Sequence, residues 1–435
     1  MDRSKHTLCL GPCLIAILAA TPSAPVRAVE SITIRVPTDA PTDVCAIIGV
    51  PMYAGPRRDA LPAIAALPSG RTSPAQFIPA LDSAGGTEAQ SGTIYLPLTV
   101  RDEERGKTLT FTLRAADEAT PPSVRIREVP GQATQFLDGR RLVLQYNHGP
   151  KDLNGEENPN AVLGFVHPIY GLDGELFSQN SPPDHRHHRG LFWAWTRLKR
   201  DGRTLGSWWD RQDIRYHVNR ILFRDAGPVL ATVTVEGFWD YQTREMSKPE
   251  RLVREVATIR VFDDGLTAGA NYQAIDVDLD LYAAVDGLTM AGTDVRNKGY
   301  GGLTLRLPAP KNGVRITADG RYIPKDANMY RAFWADYSGD FPGATGGQSG
   351  VAILTHPSHP GSPPPWCLRY YGPMNPSYPG LEFVPLHKDK PLRLRYRLIL
   401  HRGTAEQARI GDIYRLYATD WITGSAPHPG VSSQP

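Results

Sequence analysis

Val229-Leu230-Ala231-Thr232-Val233-Thr234-Val235-Glu236-Gly237-Phe238, then Leu252-Val253-Arg254-Glu255-Val256-Ala257-Thr258-Ile259-Arg260-Val261-Phe262 and the turn Asp263-Asp264-Gly265, decide the fold class. Both runs are rich in β-branched residues, and side-chain character changes with the two-residue period of a strand. The Asp-Asp-Gly tripeptide is a reversal signal. Runs of the same kind recur at Arg141–Tyr146, Leu163–Tyr170, Leu191–Leu198, Val218–Phe223, Leu266–Tyr272, Leu279–Val285 and Leu303–Leu307. Val314–Thr317, Tyr330–Trp334, Gly350–Thr355, Trp366–Tyr371 and Leu392–His401 extend the series. Only Ala405–Tyr417 reads as a helix, capped by Thr404, with Ile410, Ile413, Tyr414 and Tyr417 on one face. With 41 glycines and 39 prolines in 435 residues, long helices are disfavoured. The expectation is an all-β protein built on a large antiparallel β-sandwich.

Working outward, residues 31–36, 93–100 and 109–113 also alternate as strands, separated by a Pro/Ala/Gly/Ser-rich stretch over 51–92. Residues 29–130 therefore read as a small N-terminal β-domain with a Pro/Gly-rich insertion, residues 131–422 as the large sandwich, and residues 423–435 as a flexible tail. Residues 1–28 read as a secretory signal peptide: Arg3 and Lys5, the apolar run Leu8 to Ala20, then Val26-Arg27-Ala28 at the cleavage position. That run is too short to span a bilayer, and no second long apolar segment follows. The expected location is periplasmic or extracellular. Losing Arg3, Lys5, Arg27 and Asp2 takes the formal charge from +3 to +1, so no broad field attracts nucleic acid or an anionic membrane. Cys45 and Cys367 remain, and an oxidising compartment permits their pairing.

The chemistry concentrates in Pro182-Pro183-Asp184-His185-Arg186-His187-His188-Arg189-Gly190, which holds three of the chain's 12 histidines. Histidine titrates near neutrality and also ligates metals, so His185, His187 and His188 are candidates for acid or base catalysis or for metal binding. Two prolines stiffen the loop's start, holding side chains in place at low entropic cost. Asp184 is placed to orient an imidazole, and Arg189 to bind a carboxylate or to pin the loop. Trp193 and Trp195 share one side of the next strand and are candidates for stacking on a sugar ring. Arg306, on a glycine-opened strand, and Glu255 are candidates to face the same cleft, Glu255 as a base. Zinc or copper on His185, His187 and a third histidine (His167, His356 or His359) is the alternative reading. A glycan-binding module without turnover is another.

Phe165-Val166-His167-Pro168-Ile169-Tyr170-Gly171-Leu172-Asp173-Gly174, the Asp184–Gly190 motif, Ser207-Trp208-Trp209, Tyr300–Arg306 and Leu394-Arg395-Tyr396-Arg397 together resemble one bacterial family. This is the exported "methane oxygenase PmoA-like" family, otherwise a domain of unknown function. Arg186 stands where many of its members have proline. The resemblance covers roughly residues 135–420 and implies a sandwich similar to the galactose-mutarotase-like supersandwich. It also implies a carbohydrate or other small-molecule ligand. The leading expectation is an exported carbohydrate-active protein with the histidine loop on the concave face of the sandwich, acid or base chemistry of isomerase, lyase or hydrolase type on a glycoside or oxidised sugar, and no cofactor.

Overall fold

A computed structural model of the chain describes residues 30–52, 64–82, 85–114, 121–149, 162–206, 213–345 and 347–421. The expected signal peptide, Ser207-Trp208-Trp209 and the expected tail lie outside them. Among the described residues the fold is all-β with one α-helix, near the C-terminus, and the two largest sheets have nine strands each.

The first large sheet runs in the order Ala327–Arg331, Pro365–Leu368, Pro373–Pro376, Gly302–Arg306, Leu191–Ala194, Phe165–Ile169, Arg141–Asn147, Ala133–Asp138, Val124–Val129. The second is ordered Ile214–Ala226, Leu230–Tyr241, Glu250–Phe262, Tyr272–Ala283, Leu392–Arg402, Ser349–Thr355, Trp334–Gly339, Arg315–Ala318, Arg321–Tyr322. Neighbours pair antiparallel, and the two inner faces meet in one core that includes Tyr146, Leu191, Trp193, Leu305, Val235, Val253, Ile259, Val277 and Leu398. Alternation along each strand sends every second residue into this core.

On its outer face the second sheet carries a cross-strand charge ladder. The register sets Asp276 opposite Arg397, Asp278 opposite Arg395 and Asp280 opposite Arg393. Arg397 grips Asp276 at 2.6 and 2.9 Å and donates to the Ile47 carbonyl at 2.6 Å, tying the N-terminal region to the sheet. A second apolar core joins Ile34, Ile48, Leu96 and Phe111 to Phe262, Ile399 and the helix residues Ile410, Ile413 and Leu416. The N-terminal strands are thus packed on the large sandwich.

Four sequence expectations need correction. Val124–Val129, assigned to the N-terminal domain, pairs with Ala133–Asp138 as the edge of the first large sheet. Leu266–Tyr272 is no strand: Asp263 accepts the Gly265 N–H at 2.9 Å and starts a 3-10 turn over Asp264–Ala270. The strand resumes only at Tyr272, after a left-handed Asn271. The helix covers Ile410–Tyr417 rather than starting at Ala405, because Arg409 has a left-handed backbone (φ 55°). Cys45 and Cys367 are both free thiols, so the permitted disulfide is not formed. Among the described residues no helix is long and apolar enough to cross a membrane.

Candidate functional site

The strand Leu191–Ala194 decides which residues share a site. Its register sets Leu191 against Leu305, Phe192 against Thr304 and Trp193 against Leu303. Trp193 reaches Glu255 of the other large sheet, which puts Leu191, Trp193, Leu303 and Leu305 on the inner face, so alternation puts Phe192, Thr304 and Arg306 on the opposite, outer face. The histidine loop folds over that outer face, with the His188 ring 5.8 Å from Phe192 and 6.2 Å from Tyr300.

Backbone bonds fix the loop at its base and across its tip. Gly190 donates to Gln179 at 3.0 Å, Gln179 to Arg306 at 2.8 Å, and Arg306 to Gly190 at 2.8 Å. Within the loop Ser181 donates to His188, His185 to Pro182, and His188 to His185. Gly190 has φ 75°, and a Cβ there would stand 2.4 Å from the Val166 carbonyl oxygen, so only glycine lets the chain leave the loop this close to the neighbouring strand.

Side chains then build a short relay. Arg306, 4% exposed, donates from Nη2 to both Asp184 oxygens at 3.0 and 2.8 Å and from Nε to Gln179 at 3.3 Å. Asp184 in turn lies 2.9 Å from Nδ1 of His185. Desolvation is the largest single influence on Asp184 and acts against its ionisation, but the hydrogen bonds from His185 and Arg306 together with the Arg306 charge outweigh it and bring its pKa down to about 2. His185 is sandwiched, stacked on His188 at 4.8 Å and on Tyr371 at 5.2 Å, while His187 sits edge-on to His188 at 4.7 Å. Burial, reinforced by the electrostatic influence of the neighbouring His187, His185 and Arg306, pushes the His188 pKa down to about 2, which keeps this imidazole neutral. The Tyr300 hydroxyl approaches His188 Nε2 at 3.4 Å.

The structure therefore gathers Asp184, His185, His187, His188 and Arg306, and adds Tyr371 and Tyr300. Tyr371 is 39% exposed and lies with its ring 5.1 Å from the Arg306 guanidinium carbon. Sequence reading placed Tyr371 at the end of a strand candidate. Its only further signal was the following Gly372-Pro373, which marks a strand end at a turn. Arg189 is half-buried at the loop's far end, in a backbone bridge with Asn180.

Glu255, Trp193 and Trp195 are elsewhere. Alternation does put both tryptophans on one side of the strand, but that side faces inward. They are 1% and 0% exposed, which leaves neither indole a face for a sugar. Trp195 donates to the Tyr378 carbonyl at 2.9 Å. Glu255 is buried between the sheets, accepting from the indoles of Trp193 and Trp239 at 2.9 Å each. It cannot serve as base for the loop, because the first large sheet lies between them.

The histidines expected to complete a metal site are engaged in other contacts. His167 bonds Ser178 at 2.9 Å and burial pulls its pKa down to about 4. His356 bonds Ser358 at 2.8 Å, and His359 bonds Tyr396 at 3.0 Å. Among the described residues, the only group of three or more possible ligands with donor atoms within 4.8 Å of one another is Asp138, Asp263 and Asp264. There Arg141 donates to Asp264 at 2.9 Å and Gln273 to Asp138 at 2.9 Å, so two of these carboxylates already have protein partners.

A search of the curated proteins finds no match. Among solved structures the chain is similar to a Klebsiella pneumoniae protein provisionally named aldose 1-epimerase, at 8% identity over 93% of this chain and 100% of that one. The TM-score of 0.27 is too low for that likeness to carry an argument. The family comparison is firmer, although the methane-oxygenase name is not part of it. Residues 133–415, a span that holds the whole histidine loop, Arg306 and Tyr371, match DUF6807, and the chain belongs to this family of unknown function.

Proposed function

We propose that the outer face of the first large sheet binds a sugar-sized ligand against Tyr371, and that His185 moves a proton on it. The chemistry is of isomerase, lyase or hydrolase type on a glycoside or an oxidised sugar. The observation that carries this reading is the Arg306–Asp184–His185 relay beside an exposed aromatic ring. An ionised Asp184 accepts the Nδ1 proton of His185, which leaves the lone pair on Nε2 and fixes the ring's orientation. Nε2 is then the atom that takes a hydroxyl or C–H proton and returns it. His188, held neutral, backs the His185 ring without adding charge to it. Tyr371 supplies the apolar face that sugar C–H edges stack on, in place of the buried tryptophans. The basic start and apolar run of residues 1–28 support a periplasmic or extracellular setting, and the near-neutral charge favours a small neutral or anionic ligand over nucleic acid.

The test is a turnover screen, by polarimetry on aldoses and uronates and by reducing-sugar release from glycosides. Wild-type protein is expected to turn over at least one class. Tyr371→Ala is expected to weaken sugar binding about ten-fold while leaving the unfolding midpoint within experimental error, as calorimetric titration and thermal melting would show. Unchanged affinity in that variant would remove the stacking role. Binding without turnover in every assay would replace the enzyme reading with a glycan-binding module.

A further inference from the structure

The Arg306 guanidinium is incompletely used. Nη2 and Nε are bonded to Asp184 and Gln179, yet Nη1 is buried with no hydrogen-bond partner among the described residues. A buried cationic donor left unpaired costs free energy that the fold has to recover elsewhere. The strand pairing that sets Leu305 against Leu191 holds Arg306 on the loop's side of the sheet, so the unfilled donor is built into the site. The ring over this guanidinium belongs to Tyr371, which is half-exposed, so the edge of the site at Arg306 is a ring that a ligand can reach.

Charge points the same way. The loop carries Arg186 and Arg189 against Asp184, and Arg306 joins them from the neighbouring strand, leaving an excess of positive charge. The Arg306 guanidinium, which also helps keep His188 neutral, favours an anion at the same place. Guanidinium paired with carboxylate is among the stronger charge-assisted hydrogen bonds.

We infer that the ligand of this site is an anionic sugar whose carboxylate, as in a uronate or aldonate, is received by Nη1 of Arg306 while its ring lies against Tyr371. This inference stands on the sugar-site reading above and adds the charge of the substrate. Asp184 keeps its place on Nη2, so the carboxylate occupies the remaining prong of the fork and leaves the His185 relay intact.

Calorimetric titration of the full chain with glucose, galactose, glucuronate, galacturonate and glucose 6-phosphate tests it. Each uronate is expected to bind at least ten-fold tighter than its neutral counterpart at low salt, with the preference shrinking as ionic strength rises. The phosphate is expected to bind less tightly than the uronates. Arg306→Gln is expected to bring the uronate preference below two-fold, with circular dichroism reporting whether the fold survives. The salt dependence in wild-type protein stands even if that variant does not fold. Equal affinity for neutral and anionic sugars, or a phosphate bound more tightly than any uronate, overturns the inference while the sugar site remains. Failure of every sugar to bind brings down the sugar-site reading itself.

Discussion

Replacing Glu255 by alanine is expected to cost about 4 kcal/mol of stability, the largest single effect on the fold foreseen from this structure. The carboxylate sits between the sheets with no exposure, and Trp193 and Trp239 each donate to it at 2.9 Å. Tyr216 adds a third hydrogen bond to it, and the Tyr146 hydroxyl is 3.5 Å from that of Tyr216. Truncation leaves these donors facing a void, and each orphaned buried donor costs about 1–3 kcal/mol. The urea midpoint reads the loss. A change below about 1 kcal/mol would mean that the indoles have found other acceptors.

Glu255 also makes stability depend on pH. Burial raises its pKa from 4.5 to about 7, against the opposing pull of Trp193, Trp239 and Tyr216. Between those two values the folded state holds a proton that the unfolded chain has released. Stability contributed by this group is therefore complete below the unfolded pKa and is lost as pH rises toward 7, by about 3 kcal/mol in all. Glu255→Gln carries no such proton. Its urea midpoint is expected to fall less between pH 5 and pH 7.5 than that of the wild type. Asp138, raised to about 6 by burial and by Asp264, slopes the same way but is common to both proteins, so the difference isolates Glu255. Parallel slopes would show that Glu255 is already ionised in the fold.

His185→Ala is expected to lower turnover about a hundred- to ten-thousand-fold, the range a positioned acid or base contributes. Binding should survive, because the Tyr371 ring and Arg306 remain. Asp184→Asn should fall in the same direction, since an amide does not hold the Nδ1 tautomer as a carboxylate does and releases one side of Arg306. A variant that keeps wild-type kcat for the substrate found in the screen would remove His185 from the chemistry. Loss confined to KM would make it a binding residue.

Much of this fold is legible in strand periodicity. The run Leu252–Phe262 falls within the strand Glu250–Phe262, the run Val229–Phe238 overlaps Leu230–Tyr241 in all but its first residue, and alternation alone predicts that Trp193 and Trp195 share a side. Which side faces inward depends on a second sheet that no local pattern reveals. For that reason the tryptophans and Glu255 read as cleft residues when they are core residues. Leu266–Tyr272 has strand composition, but the Asp263 side chain captures the Gly265 N–H and turns the chain before a strand can start. The site was legible as a loop and not as a relay. Adjacent Asp184 and His185 are one motif in sequence, whereas the partners that give them chemistry come from positions 306 and 371, on other strands of the same sheet or just beyond their ends.

The central claim is that the histidine loop and Tyr371 form a sugar site whose proton-transfer group is His185. Nitrogen-15 NMR of histidine-labelled protein, titrated with aldoses, uronates and methyl glycosides, tests it most directly. The account predicts that a bound sugar moves the imidazole resonances of His185 and His187, with the His185 change lost in Asp184→Asn. The resonances of His359 and His401, which are bonded to Tyr396 and Asp336, should stay fixed. A sugar that binds the protein while every loop imidazole stays unmoved would contradict it.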